Sequence, residues 1–311
     1  MPPKPPLPRQ QGLDASWVRT PDNRPDHTAL WTTMRDFLLD RLPTEADVDG
    51  QFAREGFVDG TGRAWRPDEP YRPNAFVWFH RPFLAEATVP GRLRVILADE
   101  RIVVVDKPHF LATTPRGIHV VESVVAKLRQ QPGWEEIAPA HRLDRLTAGV
   151  LVLTIGRRWR APYAGVFSSG QAEKTYEAIA PATASVQFPL TVTGRIEKTT
   201  GRLQAELVDG EPNSSTLVEL VETNGRFGRY RLTPHTGKTH QLRLHLASLG
   251  IPIVDDPLYP AVRDVDPADF STPLKLVARR LAFADPVDGT QRYFTSGVPL
   301  PWPDPDHVRT T

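Results

Sequence analysis

His141-Arg142-Leu143-Asp144-Arg145-Leu146-Thr147-Ala148-Gly149-Val150-Leu151-Val152-Leu153-Thr154-Ile155 joins a charged stretch to an unbroken apolar one. The apolar half, residues 149–155, has the length of a strand and is rich in branched side chains, the pattern of a strand buried on both faces. The charged half sets one carboxylate, Asp144, among arginines directly before that rigid mount. Flanking positive charge favours an ionised aspartate, and an ionised carboxylate is what catalysis by this residue type requires. The bland alternative is a surface loop in which Asp144 caps a turn or pairs with an arginine.

Toward the N-terminus, residues 94–97 and 102–106 are two β-rich runs around Ala98-Asp99-Glu100-Arg101, which reads as a hairpin. A helix is expected over 121–131, stopped by Gln131-Pro132-Gly133. Toward the C-terminus, strand-like alternation recurs at 174–180, 217–222, 228–233 and 275–283, and 238–249 reads as a helix with Gly250 as its stop. Many strands and few helices, without strict alternation, indicate an α+β fold rather than a doubly wound parallel sheet. Residues 91–301 are expected to form the main domain. Before it, residues 1–90 read as a small accessory region, with an amphipathic helix within TALWTTMRDFLLDRL (28–42) that puts Leu30, Met34, Phe37 and Leu38 near one face. Proline, 32 residues in all, concentrates in the first 25 positions, at 66–73 and after Pro299, so 302–311 reads as a tail.

Composition narrows the chemistry. Apolar residues at 40% and charged ones at 24% fit a folded, water-soluble chain. No cysteine is present, which excludes disulfides, a thiolate nucleophile and cysteine-ligated zinc. Neither a signal-like apolar run at the N-terminus nor any stretch of about 18 apolar residues occurs, so a cytoplasmic protein without a membrane partner is expected. A net charge of +1 is uninformative, but its distribution is not. Residues 223–254 contain no acid while holding Arg226, Arg229, Arg231, Lys238 and Arg243, and residues 141–172 set Arg142, Arg145, Arg157, Arg158 and Arg160 against Asp144 alone. Such local density suits a polyanion, although a solvated face would also account for it.

Two further constellations are candidates for chemistry. In Glu173-Lys174-Thr175-Tyr176-Glu177-Ala178 a strand tyrosine can stack on a nucleobase while its hydroxyl exchanges a proton, or simply pack. In Thr236-Gly237-Lys238-Thr239-His240-Gln241-Leu242-Arg243-Leu244-His245 the Gly-Lys-Thr triplet lacks the glycine five residues earlier, where Leu232 stands, so an ATP-binding loop is excluded. His235, His240 and His245 recur every five residues, a spacing that does not share a helix face, so no metal is expected. What remains is a helix start with Lys238 and Arg243, a cradle for phosphate or for Asp144.

Taken together and in this order, His141-Arg142-Leu143-Asp144-Arg145 with Thr147 and Gly149, Lys174-x-Tyr176, and the run from Thr236 to His245 resemble the RluA family of RNA pseudouridine synthases. Leu249-Gly250-Ile251-Pro252-Ile253, Asp256-Pro257-Leu258-Tyr259 and Val105-Asp106-Lys107-Pro108 add to the resemblance, which spans about residues 94–283. It implies a mixed, mainly antiparallel central sheet of the pseudouridine synthase type with flanking helices. It implies Asp144 as the residue that initiates glycosidic cleavage, with Arg243 as its salt-bridge partner. Tyr176 would stack on the target base and help remove its C5 proton, and Arg142 would enter the RNA where the uridine leaves the stack. A bidentate arginine would keep the carboxylate charged. Arg142, Arg145, Lys174, Lys238 and His240 are the expected RNA-binding residues. The substrate implied is a uridine in ribosomal or transfer RNA, with no cofactor and a monomeric enzyme.

The chain departs from the family at residues 31–89, which look like a degenerate RNA-binding module. It departs also in the polar and bulky loop after Pro108, and at Asp255, where a glycine commonly stands. Two other readings compete. A non-catalytic RNA binder would be favoured by a missing aspartate, tyrosine or arginine, and all three are present. A carboxylate glycosidase needs two acids about 5–10 Å apart, and no acid follows Asp144 for more than 20 residues.

Overall fold

Four residues near the N-terminus, β1 (Ser16–Arg19), pair antiparallel with β2 (Phe76–Phe79), and helices α1 (Met34–Arg41) and α2 (Val48–Ala53) lie between them in sequence. The computed structural model describes residues 4–22, 31–82 and 86–304, and the chain divides into two units, Met1–Glu86 and Ala87–Thr311. Helix α1 begins later than its apolar pattern suggests because Thr33 and Asp36 form a reciprocal capping box, each side chain accepting from the other's backbone amide. Met34, Phe37 and Leu38 are buried with Phe52, Phe57 and Phe79 in the core of this first unit, whereas Leu30 lies outside the described residues.

The second unit carries β3 (Arg94–Ala98), β4 (Ile102–Lys107), α3 (Val124–Leu128), β5 (Ala138–Pro139), β6 (Ala148–Thr154), α4 (Arg160–Ser168) and β7 (Glu173–Pro181). There follow β8 (Leu190–Glu197), β9 (Glu206–Val208), β10 (Ser214–Thr223), β11 (Phe227–Pro234), α5 (Gln241–Ser248), β12 (Leu276–Ala284) and β13 (Gln291–Thr295). Val89 already belongs to this unit, buried in its core and donating its N–H to Glu122. At the other end, Trp302 packs with Leu300 against Val277 and Phe227, and of the expected tail residues 305–311 lie outside the described residues. The sheet runs β3-β4-β6-β12-β7-β11-β10-β8-β9, with β13 on β12 and β5 on β6. Among the described residues its pairs are antiparallel except β6 with β12, so the fold is α+β with a mixed, mainly antiparallel sheet. The helix expected over 121–131 is shorter, because the Ser123 hydroxyl caps α3 at the Ala126 amide. Strands β8, β9 and β13 and helix α4 have no counterpart among the sequence-based expectations.

Strand β6 is buried along its whole length and lies between two cores. Leu151 and Leu153 face one side with Val103, Val105, Leu111 and the residues of α3, while Val150 and Val152 face the other with Tyr163 and Phe283. A further cluster packs α5, through Leu242 and Leu246, onto Ala178, Val218 and Leu232. Leu146 and Tyr176 touch both the Leu151 cluster and the α5 cluster, so the loop leading into β6 stands at their junction. Gly149 makes the parallel pairing possible. Its φ is +119°, and a Cβ there would collide with the Ala278 carbonyl oxygen and lie 2.7 Å from the Ala278 nitrogen.

Candidate active site

Asp144 lies in the loop between β5 and β6, and the backbone of that loop is gripped from several sides. Thr113 Oγ1 donates to Leu143 O at 2.7 Å and accepts from Leu143 N–H at 3.2 Å. Lys107, fully buried at the end of β4, donates from Nζ to Pro108 O at 3.1 Å, Leu111 O at 2.7 Å and Arg145 O at 3.1 Å. Those carbonyls use all three N–H bonds of an ammonium. Burial pulls the Lys107 pKa down to about 7, and the nearby Asp144 charge opposes that shift. His109 donates from Nδ1 to Leu146 O at 2.8 Å, and Thr147 N–H closes a turn on Asp144 O at 3.1 Å. The segment after Pro108, in sequence only a departure from the family pattern, is thus part of the scaffold beneath Asp144.

The Asp144 side chain is 33% exposed, and its Oδ2 lies 3.6 Å from Arg243 Nη1 and 3.9 Å from His240 Nε2. The guanidinium of Arg243 is buried and bidentate, but toward another acid. Its Nε and Nη2 donate to Asp256 Oδ2 at 2.7 Å and Oδ1 at 2.6 Å. Asp256 is itself buried and accepts from the Leu258 and Tyr259 amides. Burial alone would lower the Arg243 pKa, yet the hydrogen bonds and charge of Asp256, helped by Asp144, raise it. The expectation of a bidentate pair with Asp144 is therefore corrected: Asp256 takes two edges of the fork, and Asp144 meets the remaining Nη1. The flanking arginines differ from expectation too. Among the described residues neither Arg142 nor Arg145 forms an ion pair with Asp144, whose partners are Arg243 and His240. Arg142 is exposed, and the Arg145 guanidinium lies 6.0 Å from the Phe110 ring centroid, with Nη1 buried and unbonded.

Tyr176 projects from β7 where the clusters around Leu151 and α5 meet. Burial, and then the charge of Asp144, push its phenol pKa up. A phenol so shifted keeps its proton at neutral pH, which suits stacking and donating and weighs against acting as a base. Helix α5 starts at Gln241 rather than Lys238, since His240 adopts a left-handed conformation with φ of 57°. Gln241 Oε1 closes the preceding turn by accepting from Lys238 N–H at 3.0 Å and Thr236 Oγ1–H at 2.7 Å. Lys238 is exposed ahead of the helix, and Lys174 is partly buried on β7. The three spaced histidines do not converge. His235 is exposed, His240 faces Tyr259 and Asp144, and His245 is buried between the hydroxyls of Ser214 and Thr216. His141 accepts at Nε2 from the Val152 amide and stacks on Phe167, so it fixes the strand rather than facing a substrate.

Among the described residues Arg142, Arg145, Lys174 and Lys238 have no ion pair. Other cations of the same unit are matched, as in Arg94 with Asp106, Arg101 with Asp288, Arg229 with Glu222 and Arg279 with Glu177. The residues that sequence reasoning missed are Asp256, Lys107 and Thr113. The first two stand in quoted motifs, and the one available signal was that Asp255 and Asp256 are the first acids after the acid-free residues 223–254; Thr113 offered none. Asp255 has a left-handed φ of 62°, a conformation open to glycine and tolerated by aspartate.

The profile of the family described as RNA pseudouridylate synthase matches residues 101–248, which hold Asp144, Tyr176 and Arg243. An uncharacterized RNA pseudouridine synthase of Synechocystis is 30% identical over 233 residues, covering 73% of this chain and 79% of that protein. The dual-specificity RNA pseudouridine synthase RluA of Pasteurella multocida is 28% identical over 67% of this chain and 93% of its own. Among solved structures, human RNA pseudouridylate synthase domain containing 1 superposes with a TM-score of 0.53 at 22% identity, over 70% of this chain and 87% of that one, a likeness of fold.

Proposed function

Since the chain belongs to the RluA family of RNA pseudouridine synthases and is an enzyme that isomerises uridine in RNA, we propose that Asp144 is its reacting carboxylate. The observation that carries this reading is the asymmetric hold on Asp144. The backbone on either side of it is clamped, Oδ2 faces a buried guanidinium fixed by Asp256, and a third of the side chain is open to a ligand. Isomerisation to pseudouridine breaks N1–C1′, forms C5–C1′, and moves one proton from C5 to N1. The glycosidic bond is inaccessible to a carboxylate within a stacked helix, so the uridine is everted into the site. Asp144 then adds to the base or takes a sugar proton, Arg243 stabilises its charge, and Tyr176 stacks on the uracil. Arg142 fills the space left in the RNA, while Arg145, Lys174 and Lys238 neutralise phosphates near the everted nucleotide. A uridine in ribosomal or transfer RNA is the proposed substrate, and the enzyme acts as a cytoplasmic monomer.

Mapping pseudouridines at single-nucleotide resolution, with and without the gene, tests this. One or a few sites should vanish on deletion and return with the wild-type gene but not with Asp144→Asn. Restoration by Asp144→Asn at the wild-type level would remove the carboxylate from the mechanism.

A further inference from the structure

Asp144 presents its two oxygens unequally. Oδ2 faces both Arg243 Nη1 and His240 Nε2, at 3.6 and 3.9 Å, whereas among the described residues Oδ1 has no hydrogen bond or ion pair. The other nitrogen of the imidazole, Nδ1, is 3.1 Å from Tyr259 Oη. Tyr259 is buried, and its Oη accepts from the Ala205 amide at 2.7 Å while lying 3.0 Å from the Ala205 carbonyl oxygen. A phenol has one hydrogen, and here it has two acceptors within reach, Ala205 O and His240 Nδ1.

The choice fixes the imidazole tautomer. If the phenol hydrogen goes to Ala205 O, Nδ1 must donate to Oη, and the bare Nε2 lone pair then points at the Asp144 carboxylate. If it goes to Nδ1, Nε2 carries the hydrogen and presents it to Oδ2. An ionised Asp144 favours the second arrangement electrostatically. Burial and the neighbouring Arg243 disfavour a doubly protonated ring against the opposing pull of Asp144, so the neutral Nε2–H form is the one that serves both Asp144 and Tyr259, with the Ala205 carbonyl giving up the phenol hydrogen. The backbone is bent to achieve this. His240 holds a left-handed φ of 57°, a conformation uncommon outside glycine, which places the ring between Tyr259 and Asp144 just ahead of α5.

We propose that His240 and Tyr259 are positioning residues for Asp144: the Tyr259 hydroxyl sets the His240 tautomer, and the Nε2–H group holds Oδ2 so that Oδ1 meets the uridine. At 3.9 Å the contact is electrostatic, and catalytic hydrogen bonds that are long without substrate shorten in the bound complex. This replaces the sequence-based expectation that His240 contacts RNA, and it rests on the reading of Asp144 as the reacting carboxylate.

The test measures single-turnover rate at saturating RNA, and RNA affinity separately, on an in vitro transcript spanning the mapped uridine. Tyr259→Phe removes one oxygen, His240→Asn keeps a residue tolerant of the left-handed backbone but has no donor at the Nε2 position, and His240→Gln returns an amide N–H to that position. Tyr259→Phe should slow the chemical step about 10-fold and His240→Asn about 100-fold, with His240→Gln recovering most of the loss and RNA affinity unchanged throughout. Weakened affinity with an intact rate would make His240 an RNA contact and overturn the proposal, as would wild-type rates in all variants or a Gln variant no faster than Asn. Asp144→Asn is run in parallel. If it is inactive while these variants are unimpaired, only the positioning role falls; if it retains the wild-type rate, the reading of Asp144 falls first.

Discussion

Arg243 is a buried cation shared by two carboxylates, one sealed in the interior and one facing the site. The fork shape is what permits the sharing, since Nε and Nη2 occupy Asp256 while Nη1 is left for Asp144. Lysine has one compact ammonium and cannot span both acids. Arg243→Lys should therefore bind RNA normally and lose about 100-fold in single-turnover rate, and a variant within a few-fold of wild type would contradict the shared role. The side chains proposed to carry the chemistry were legible in the sequence, because Asp144, Tyr176 and Arg243 stand in short motifs. That Asp256 is the stronger partner of Arg243 was not. Two acids matched to one guanidinium can be told apart only by distance and burial.

Among the elements, the parallel contact between β6 and β12 depends on a position without a side chain. Adding a methyl group at Gly149 would both strain a φ of +119° and drive Cβ into the Ala278 backbone. Gly149→Ala should cost about 3 kcal/mol, read as a lowered urea midpoint, and an unchanged midpoint would mean that the strands separate without penalty. Helix α5 is pinned in a different manner. Gln241 donates to Ser215 O and Thr216 Oγ1, and His245 bonds Ser214 and Thr216, so the helix is fixed to β10 and its third residue, Arg243, is aimed at the acids. The apolar run of β6 and the Gly250 stop of α5 could be read in the sequence because each depends on neighbours along the chain. The polar pinning could not, since Gln241 and Thr216 are 25 residues apart.

Over the chain as a whole, three histidines, His245 buried and His109 and His141 partly so, contribute to behaviour in acid. Burial depresses His109 and His245 to about 4 and His141 to about 3. The unfolded chain takes up protons below about 6.5, whereas the folded chain refuses them until those lower values. Fewer protons bound in the native state means that stability falls as pH drops through the interval from about 6.5 toward 4, at up to about 1.4 kcal/mol per pH unit for each histidine. The melting temperature should decline steadily across that window, and a flat profile would show that the rings are accessible to protons in the fold. Among the described residues Lys238 is exposed and has no ion pair, which fits its proposed contact with an RNA phosphate. Lys238→Gln should weaken RNA binding and reduce the slope of log affinity against log salt by about 0.7. An unaltered slope would remove Lys238 from the phosphate path.

Local periodicity and short motifs were enough to specify the α+β class, most strands of the main unit, the family, and the three side chains gathered around the site. How those side chains are held emerged only when distant segments came together in the fold. Among the described residues the arginines beside Asp144 in the chain form no ion pair with it, while Arg243 and His240, about 100 residues later, face it. Lys107 and Thr113 grip the backbone of its neighbours Arg145 and Leu143 from another strand and loop. Charge acts through space, and in a folded chain the direction of a side chain depends on the backbone conformation and packing at its own position rather than on its neighbours in sequence.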